Sequence, residues 1–142
     1  MVTFKLVIGT KNGQCVQKEV TDDTAQVLVG KTLGSTVSGD EIGLAGYEFT
    51  ITGGSDFCGF PMRKEVPGTR RKKIFATKGV GLKNQGKGVR VRKTVCGNTI
   101  HDKITQINLK VTKEGPSPLV EPAAQEPSNE GNGQNGNEEA KA

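Results

Sequence analysis

Gly46-Tyr47-Glu48-Phe49-Thr50-Ile51-Thr52 alternates with a period of two, placing Tyr47, Phe49 and Ile51 on one face and Glu48, Thr50 and Thr52 on the other. That is the pattern of a half-buried β-strand, since successive side chains of a strand point to opposite faces. Upstream, Thr3 to Ile8 is a short run of strand formers, followed by Thr10-Lys11-Asn12-Gly13. Asn-Gly after an apolar strand signals a hairpin, with Cys15 to Val20 as its returning strand. Downstream, Gly88 to Val95 alternates with Val89, Val91, Lys93 and Val95 on one side. The run Lys103 to Lys113 sets Thr105, Ile107, Leu109, Val111 and Lys113 against Ile104, Gln106, Asn108, Lys110 and Thr112, so its apolar face is clear. Only Thr24 to Val29 suits a turn or two of helix, capped by Asp22 or Asp23. Glycines at 30, 34, 39, 43 and 46 then interrupt the chain too often for a long helix. The expected fold is all-β: a small antiparallel β-barrel, closed to remove exposed edges, with basic glycine-rich loops.

The chain has 142 residues, and composition divides it in two. Residues 1–113 hold 16 of the 20 glycines and are expected to form one barrel domain. Residues 114–142 hold four of the six prolines, six acids and one lysine, and no aromatic residue. So little apolar surface does not repay the entropy of ordering, and a disordered acidic tail is expected there. The formal charge of +5 therefore splits into −5 on the tail and +10 on the rest. No apolar run reaches the ~20 residues of a membrane span, and the N-terminus lacks the plan of a signal peptide. Cys15, Cys58 and Cys96 are odd in number, far apart and never in a Cys-x-x-Cys pair, and His101 stands alone. Neither a metal site nor a disulfide framework is expected, and a reducing compartment is.

The positive charge is concentrated. Between residues 63 and 93 stand Arg63, Lys64, Arg70, Arg71, Lys72, Lys73, Lys78, Lys83, Lys87, Arg90, Arg92 and Lys93, against the single acid Glu65. Solvated faces ordinarily mix signs, and this one barely does. Lysine and arginine neutralise phosphates and release counterions, and the interspersed glycines let backbone approach a phosphate closely. The expected ligand is a nucleic acid, with these twelve side chains as candidate contacts.

Catalysis finds few footholds. Gly81-Leu82-Lys83-Asn84-Gln85-Gly86-Lys87-Gly88 matches seven positions of the nucleotide-binding loop Gly-x-x-x-x-Gly-Lys, but the eighth should be Ser or Thr and is Gly88. The segment after it reads as a strand, whereas that loop opens a helix. His101 and Asp102 are adjacent and point apart in an extended segment, with no nucleophile beside them. No enzymatic activity, cofactor or small-molecule substrate is expected.

Ile51 to Met62 is read as a strand that leaves through Gly53-Gly54, turns at Asp56 and ends in an apolar plug of Phe60 and Met62. Its alternative reading packs glycine backbone on ribose-phosphate and stacks Phe57 or Phe60 on an unpaired base. The motif Thr52-Gly53-Gly54-Ser55-Asp56-x-x-Gly59-Phe60-Pro61-Met62 closely resembles the signature of S6e, an archaeal and eukaryotic family of small-subunit ribosomal proteins. Gly43-Leu44-Ala45-Gly46-Tyr47 before it is similar to the family's approach to that signature. Arg92-Lys93-Thr94-Val95-x-Gly97-Asn98-Thr99-Ile100 and Gln106-Ile107-Asn108-Leu109 are similar to its later motifs.

The resemblance covers roughly residues 1–113 and implies a non-enzymatic β-barrel of the cytoplasmic ribosome. Its implied partners are small-subunit ribosomal RNA and neighbouring ribosomal proteins, and Gly53, Gly54, Asp56, Gly59, Phe60, Pro61 and Met62 form its signature loop. Two departures stand out. Cys96 occupies a position where the family pattern has arginine, and the acidic tail replaces the long basic helix with phosphorylated serines of eukaryotic members. The short form resembles the archaeal ones. A rival of another class is an RNA chaperone or translation factor that exchanges on and off the ribosome.

Overall fold

The computed structural model describes residues 2–83, 86–116 and 119. Within these, seven strands and one short helix run in the order β1 (Thr3–Gly9), β2 (Cys15–Thr21), α1 (Asp22–Leu28), β3 (Thr36–Ser38), β4 (Glu48–Asp56), β5 (Lys72–Ala76), β6 (Val91–Val95) and β7 (Ile104–Lys113). A 3-10 turn, Asp40–Ile42, precedes β4. The expected hairpin is β1–β2, paired in register from Thr3 with Thr21 to Gly9 with Cys15. The helix begins at Asp22, so Thr21 takes the N-cap position, and it makes no side-chain cap bond. The expectation of an aspartate cap is thereby corrected.

The sheet corrects a second expectation. Its order is β2-β1-β7-β4-β3, with β1 and β7 parallel and the other neighbours antiparallel. It is a curled half-barrel whose edges, β2 and β3, do not meet. The first and last strands pair side by side, and parallel pairing is open to them because the whole intervening chain serves as their crossover. β5 and β6 do not enter the wall at all and pair with each other as a separate ribbon. A barrel wall needs one apolar face along each strand. Lys72-Lys73 and Arg92-Lys93 put charge on both faces of these two, and burying unpaired charge is prohibitive.

The hollow of the half-barrel is filled by the alternating residues. Phe4, Leu6 and Ile8 of β1, Phe49 and Ile51 of β4, and Ile107, Leu109 and Val111 of β7 are buried together with Tyr47. Tyr47 and Phe49 stack with ring centroids 5.7 Å apart. Helix α1 packs on β1 and β2 and adds Ala25 and Leu28. Ile104, assigned by simple alternation to the polar face of β7, is buried. The register explains it: Ser55 pairs with Gln106 and Asp56 with Ile104, so a bulge at Thr105 reverses the alternation beyond it.

The strand read as ending at Thr52 continues through Gly53-Gly54-Ser55 to Asp56. Glycine pairs usually break strands, but pairing with Asn108, Ile107 and Gln106 overrides that preference here. Gly54 is also required by space, because a Cβ there would sit 2.6 Å from the Gln106 carbonyl oxygen. Conversely β6 begins at Val91, three residues later than the alternation from Gly88 suggested. After β7, Gly115 and Pro116 lie against Gly46 and the Tyr47 ring, and Leu119 packs on the core. The expected disordered tail falls otherwise on residues 117, 118 and 120–142, outside the described residues.

Candidate nucleic-acid interface

The signature segment is a hairpin folded back on the end of β4. The Asp56 N–H donates to the Phe60 carbonyl at 3.0 Å, the Gly59 N–H to the Asp56 carbonyl at 2.8 Å, and the Met62 N–H to the Gly54 carbonyl at 2.9 Å. Met62 is buried as the plug that was expected, whereas Phe60 is only half-buried. The segment is then fastened to the base of the β5–β6 ribbon. The Cys96 N–H donates to the Pro61 carbonyl at 2.9 Å and the Arg63 N–H to the Cys96 carbonyl at 3.1 Å.

Asp56 is the pivot of this arrangement. It is 3% exposed, accepts from the Phe57 N–H at 2.5 Å, and accepts from the Arg71 guanidinium Nε at 2.5 Å. The Arg71 guanidinium lies between two rings, 4.8 Å from the Phe57 centroid and 5.0 Å from that of Phe60. Its hydrogen bond to Asp56 raises the Arg71 pKa against the opposing effect of burial, so it stays a cation. A planar guanidinium suits this slot, as an ammonium would not. Arg71 is thus held as part of the loop, offering one side to solvent instead of a free phosphate grip. Cys96 lies beneath, fully buried, with Sγ 4.0 Å from Asp56 Oδ2 and from the Thr69 carbonyl. Burial, aided by the Asp56 carboxylate, pushes its thiol pKa up, away from nucleophilic character.

One expected outcome tests the pivot. Asp56→Ala takes away the acceptor of Arg71 Nε and releases Arg71 from its slot, at a cost of about 1–3 kcal/mol, while the Phe57 N–H keeps its second acceptor, the Lys103 carbonyl at 3.0 Å. Asp56→Asn keeps an acceptor for Arg71 Nε, so urea unfolding should place it between wild type and the alanine variant. Equal loss in both would mean that the charge on Asp56, not the acceptor, holds the loop.

The ribbon carries the greater part of the basic run. Directly opposite residues of an antiparallel pair share a face, and the register is Lys73 with Thr94, Phe75 with Arg92 and Ala76 with Val91. Lys73, Phe75 and Arg92 form the outward face, while Ile74, Ala76, Val91 and Val95 are half-buried or buried on the other. Lys72 and Lys93 lie on that second face and are nonetheless exposed. Arg70 precedes β5, and Lys78, Lys83, Lys87 and Arg90 stand exposed on the connection between the two strands. Arg92 and Lys93, distant from Lys72 and Lys73 in sequence, are therefore their neighbours on the ribbon, while Lys78, Lys83, Lys87 and Arg90 follow on the connection beyond Ala76 and Val91. From Val66 to His101 the chain contains ten cations and no acid.

Two candidates sit apart from the rest. Lys64 reaches back over Gly34. Arg63 is 7% exposed, its Nη2 donating to Glu65 at 3.0 Å, which was not foreseen from sequence. The signal that would have found it is the acid two residues on, the only one in the basic run. Also missed was Phe75, 72% exposed with the Arg92 guanidinium 5.6 Å from its ring centroid. An aromatic interleaved in a basic run was its available signal.

The remaining chemistry is sparse. Among the described residues no three His, Cys, Asp or Glu side chains are grouped to hold a metal. No helix among them is long and apolar enough to cross a membrane. His101 is half-buried, its Nδ1 3.4 Å from the Thr99 carbonyl. Asn84 and Gln85 of the Gly81–Gly88 motif lie outside the described residues, and the element after the motif is strand β6.

The family model described as Ribosomal protein S6e matches residues 4–124. The small ribosomal subunit protein eS6 of Methanothermobacter thermautotrophicus is 48% identical over 120 residues, covering 84% of this chain and 94% of the relative. That of Nanoarchaeum equitans is 48% identical over 118 residues, covering 82% and 86%. That of Nitrosopumilus maritimus is 40% identical over 126 residues, covering 89% and 90%.

Proposed function

This chain belongs to the ribosomal protein S6e family, and from that premise we propose that it binds small-subunit ribosomal RNA through the β5–β6 ribbon and its flanking loops. It is a structural, non-enzymatic constituent of the small subunit of the cytoplasmic ribosome. The observation that carries the RNA reading is the acid-free span Val66 to His101, ten of whose residues are cations, raised on an exposed ribbon. Phosphate neutralisation by such a surface supplies affinity, while the shape of the ribbon fixes register. Arg70, Lys72, Lys73, Lys78, Lys83, Lys87, Arg90, Arg92 and Lys93 are the direct contacts in this reading. Arg63 and Arg71 support the loops that carry them, and Lys64 lies at the margin. The signature loop Gly53 to Met62 sets the angle between ribbon and half-barrel. Neighbouring ribosomal proteins complete the environment.

Sedimentation of tagged protein from a lysate, before and after a high-salt wash, tests the assignment. Retention at about one copy per small subunit is expected. Loss of the protein on washing would instead identify an exchanging RNA chaperone or translation factor.

The acidic residues beyond 113 act, in the same reading, as an intramolecular competitor for the basic ribbon before assembly. Gly115 and Pro116 contact the domain, so the informative truncation removes residues 125–142, including Glu126, Glu130, Glu138 and Glu139. Its expected effect is higher affinity for non-cognate RNA at low salt, vanishing as salt screens the tail. Unchanged affinity at low salt would leave the extension without that role.

A further inference from the structure

Phe75 and Arg63 are each anomalous, and they line the same cleft. An exposed phenylalanine in the middle of a two-stranded ribbon contributes nothing to the core. Arg63 is buried, yet its Nη1 has no hydrogen-bond partner among the described residues. A buried guanidinium N–H without an acceptor is costly, and native folds seldom leave one so. The cleft between them, about 380 Å³, is lined also by Lys78, Arg90 and Glu65. Glu65 is engaged by Arg63 Nη2, so the balance at the cleft remains strongly positive.

We propose that this cleft is a subsite for one unpaired nucleotide of ribosomal RNA, its base stacked on Phe75 and its phosphate held by Lys78 and Arg90, over the buried Arg63 guanidinium whose Nη1 has no acceptor of its own. The proposal rests on the RNA-binding reading above and names the nucleotide state that the ribbon selects. Stacking requires a base free of its own helix, so single-stranded loops and bulges qualify and continuous duplex does not. The Arg92 guanidinium lies over the Phe75 ring, 5.6 Å from its centroid, so the base stacks on the opposite face and the cation backs the platform. A protein neighbour that buried Phe75 would need apolar or acidic groups against this surface, whereas one nucleotide answers the exposed ring with its base and the exposed cations Lys78 and Arg90 with its phosphate.

The chain has no tryptophan, so Phe75→Trp introduces a sole indole at an exposed position where folding is not at risk. Protein-free small-subunit ribosomal RNA should quench that indole strongly, and a fully paired RNA duplex should not. Phe75→Ala should weaken binding to the same RNA about 5- to 150-fold without changing the salt slope. Lys78→Ala should instead flatten the slope by about 0.7 for its one phosphate. An unquenched indole with wild-type affinity in Phe75→Ala overturns the subsite. The broader reading then still stands if replacing Arg70, Lys72 and Lys73 weakens binding, and falls if it does not. An indole silent to naked RNA, with subunit retention lost in Phe75→Asp, overturns the subsite in favour of a protein neighbour.

Discussion

Gly97→Ala should destabilise the protein by about 3 kcal/mol, at the upper end of overpacking costs, and should loosen the basic ribbon as it does so. A Cβ at Gly97 would stand 1.7 Å from the Gly68 carbonyl oxygen, 2.5 Å from its carbonyl carbon and 3.2 Å from the Thr69 nitrogen. All three are backbone atoms, so no rotamer change relieves the clash. The chain at residues 68–69 must move, and it is the seam that seats the ribbon. The Asn98 N–H donates there to the Val66 carbonyl at 2.8 Å and the Thr99 N–H to the Gly68 carbonyl at 3.2 Å. Arg70 follows directly, so RNA affinity should fall along with stability. Urea unfolding checks the first effect, with Gly86→Ala as the control, since its methyl would meet only Val89 Cγ2 at 3.7 Å. For a domain of ordinary stability, ~5–15 kcal/mol, a loss of this size is a large share. A change below about 1 kcal/mol would mean that the seam yields freely.

Replacing Arg70, Lys72 and Lys73 together with alanine should reduce affinity for small-subunit ribosomal RNA by two to three orders of magnitude near 0.1 M salt. Each phosphate contact contributes about 0.7–0.9 of a unit to the slope of log affinity against log salt. Three lost contacts therefore flatten the slope by roughly 2–3 units on the same scale. All three side chains are exposed, and none contributes to the core, so the unfolding midpoint should barely move. Arg71 is left in place because its guanidinium is taken up by Asp56 and two rings. An unchanged slope would remove this edge of the ribbon from the interface.

Much of this was legible in the sequence. Alternation at Tyr47, Phe49 and Ile51 located a buried strand face because apolar period is a local property, set by the pleat of the strand itself. The β1–β2 hairpin followed from the Asn12-Gly13 turn, and the basic run between residues 63 and 93 from simple counting. The glycine- and aspartate-bearing signature was conspicuous and specific enough to carry a family resemblance. None of these readings needed to know what lies across space.

What required the tertiary structure were the long-range pairings. Closure of the barrel was inferred from edge avoidance, whereas β5 and β6 left the wall because their charges have no place inside it. Strand β4 runs on through Gly53-Gly54 because β7 is there to bond with it, which local propensity does not record. Asp56 and Arg71 stand 15 residues apart, and only the folding back of the loop onto the ribbon joins the buried carboxylate to the half-exposed guanidinium as an ion pair. Arg63 looked like one more surface cation in a basic run until packing beneath Gly79 buried it. Period, composition and turn chemistry are written in neighbouring residues, and the chain alone determined them. Which cation is free to meet a phosphate depends on partners distant in sequence, and there the tertiary structure decided.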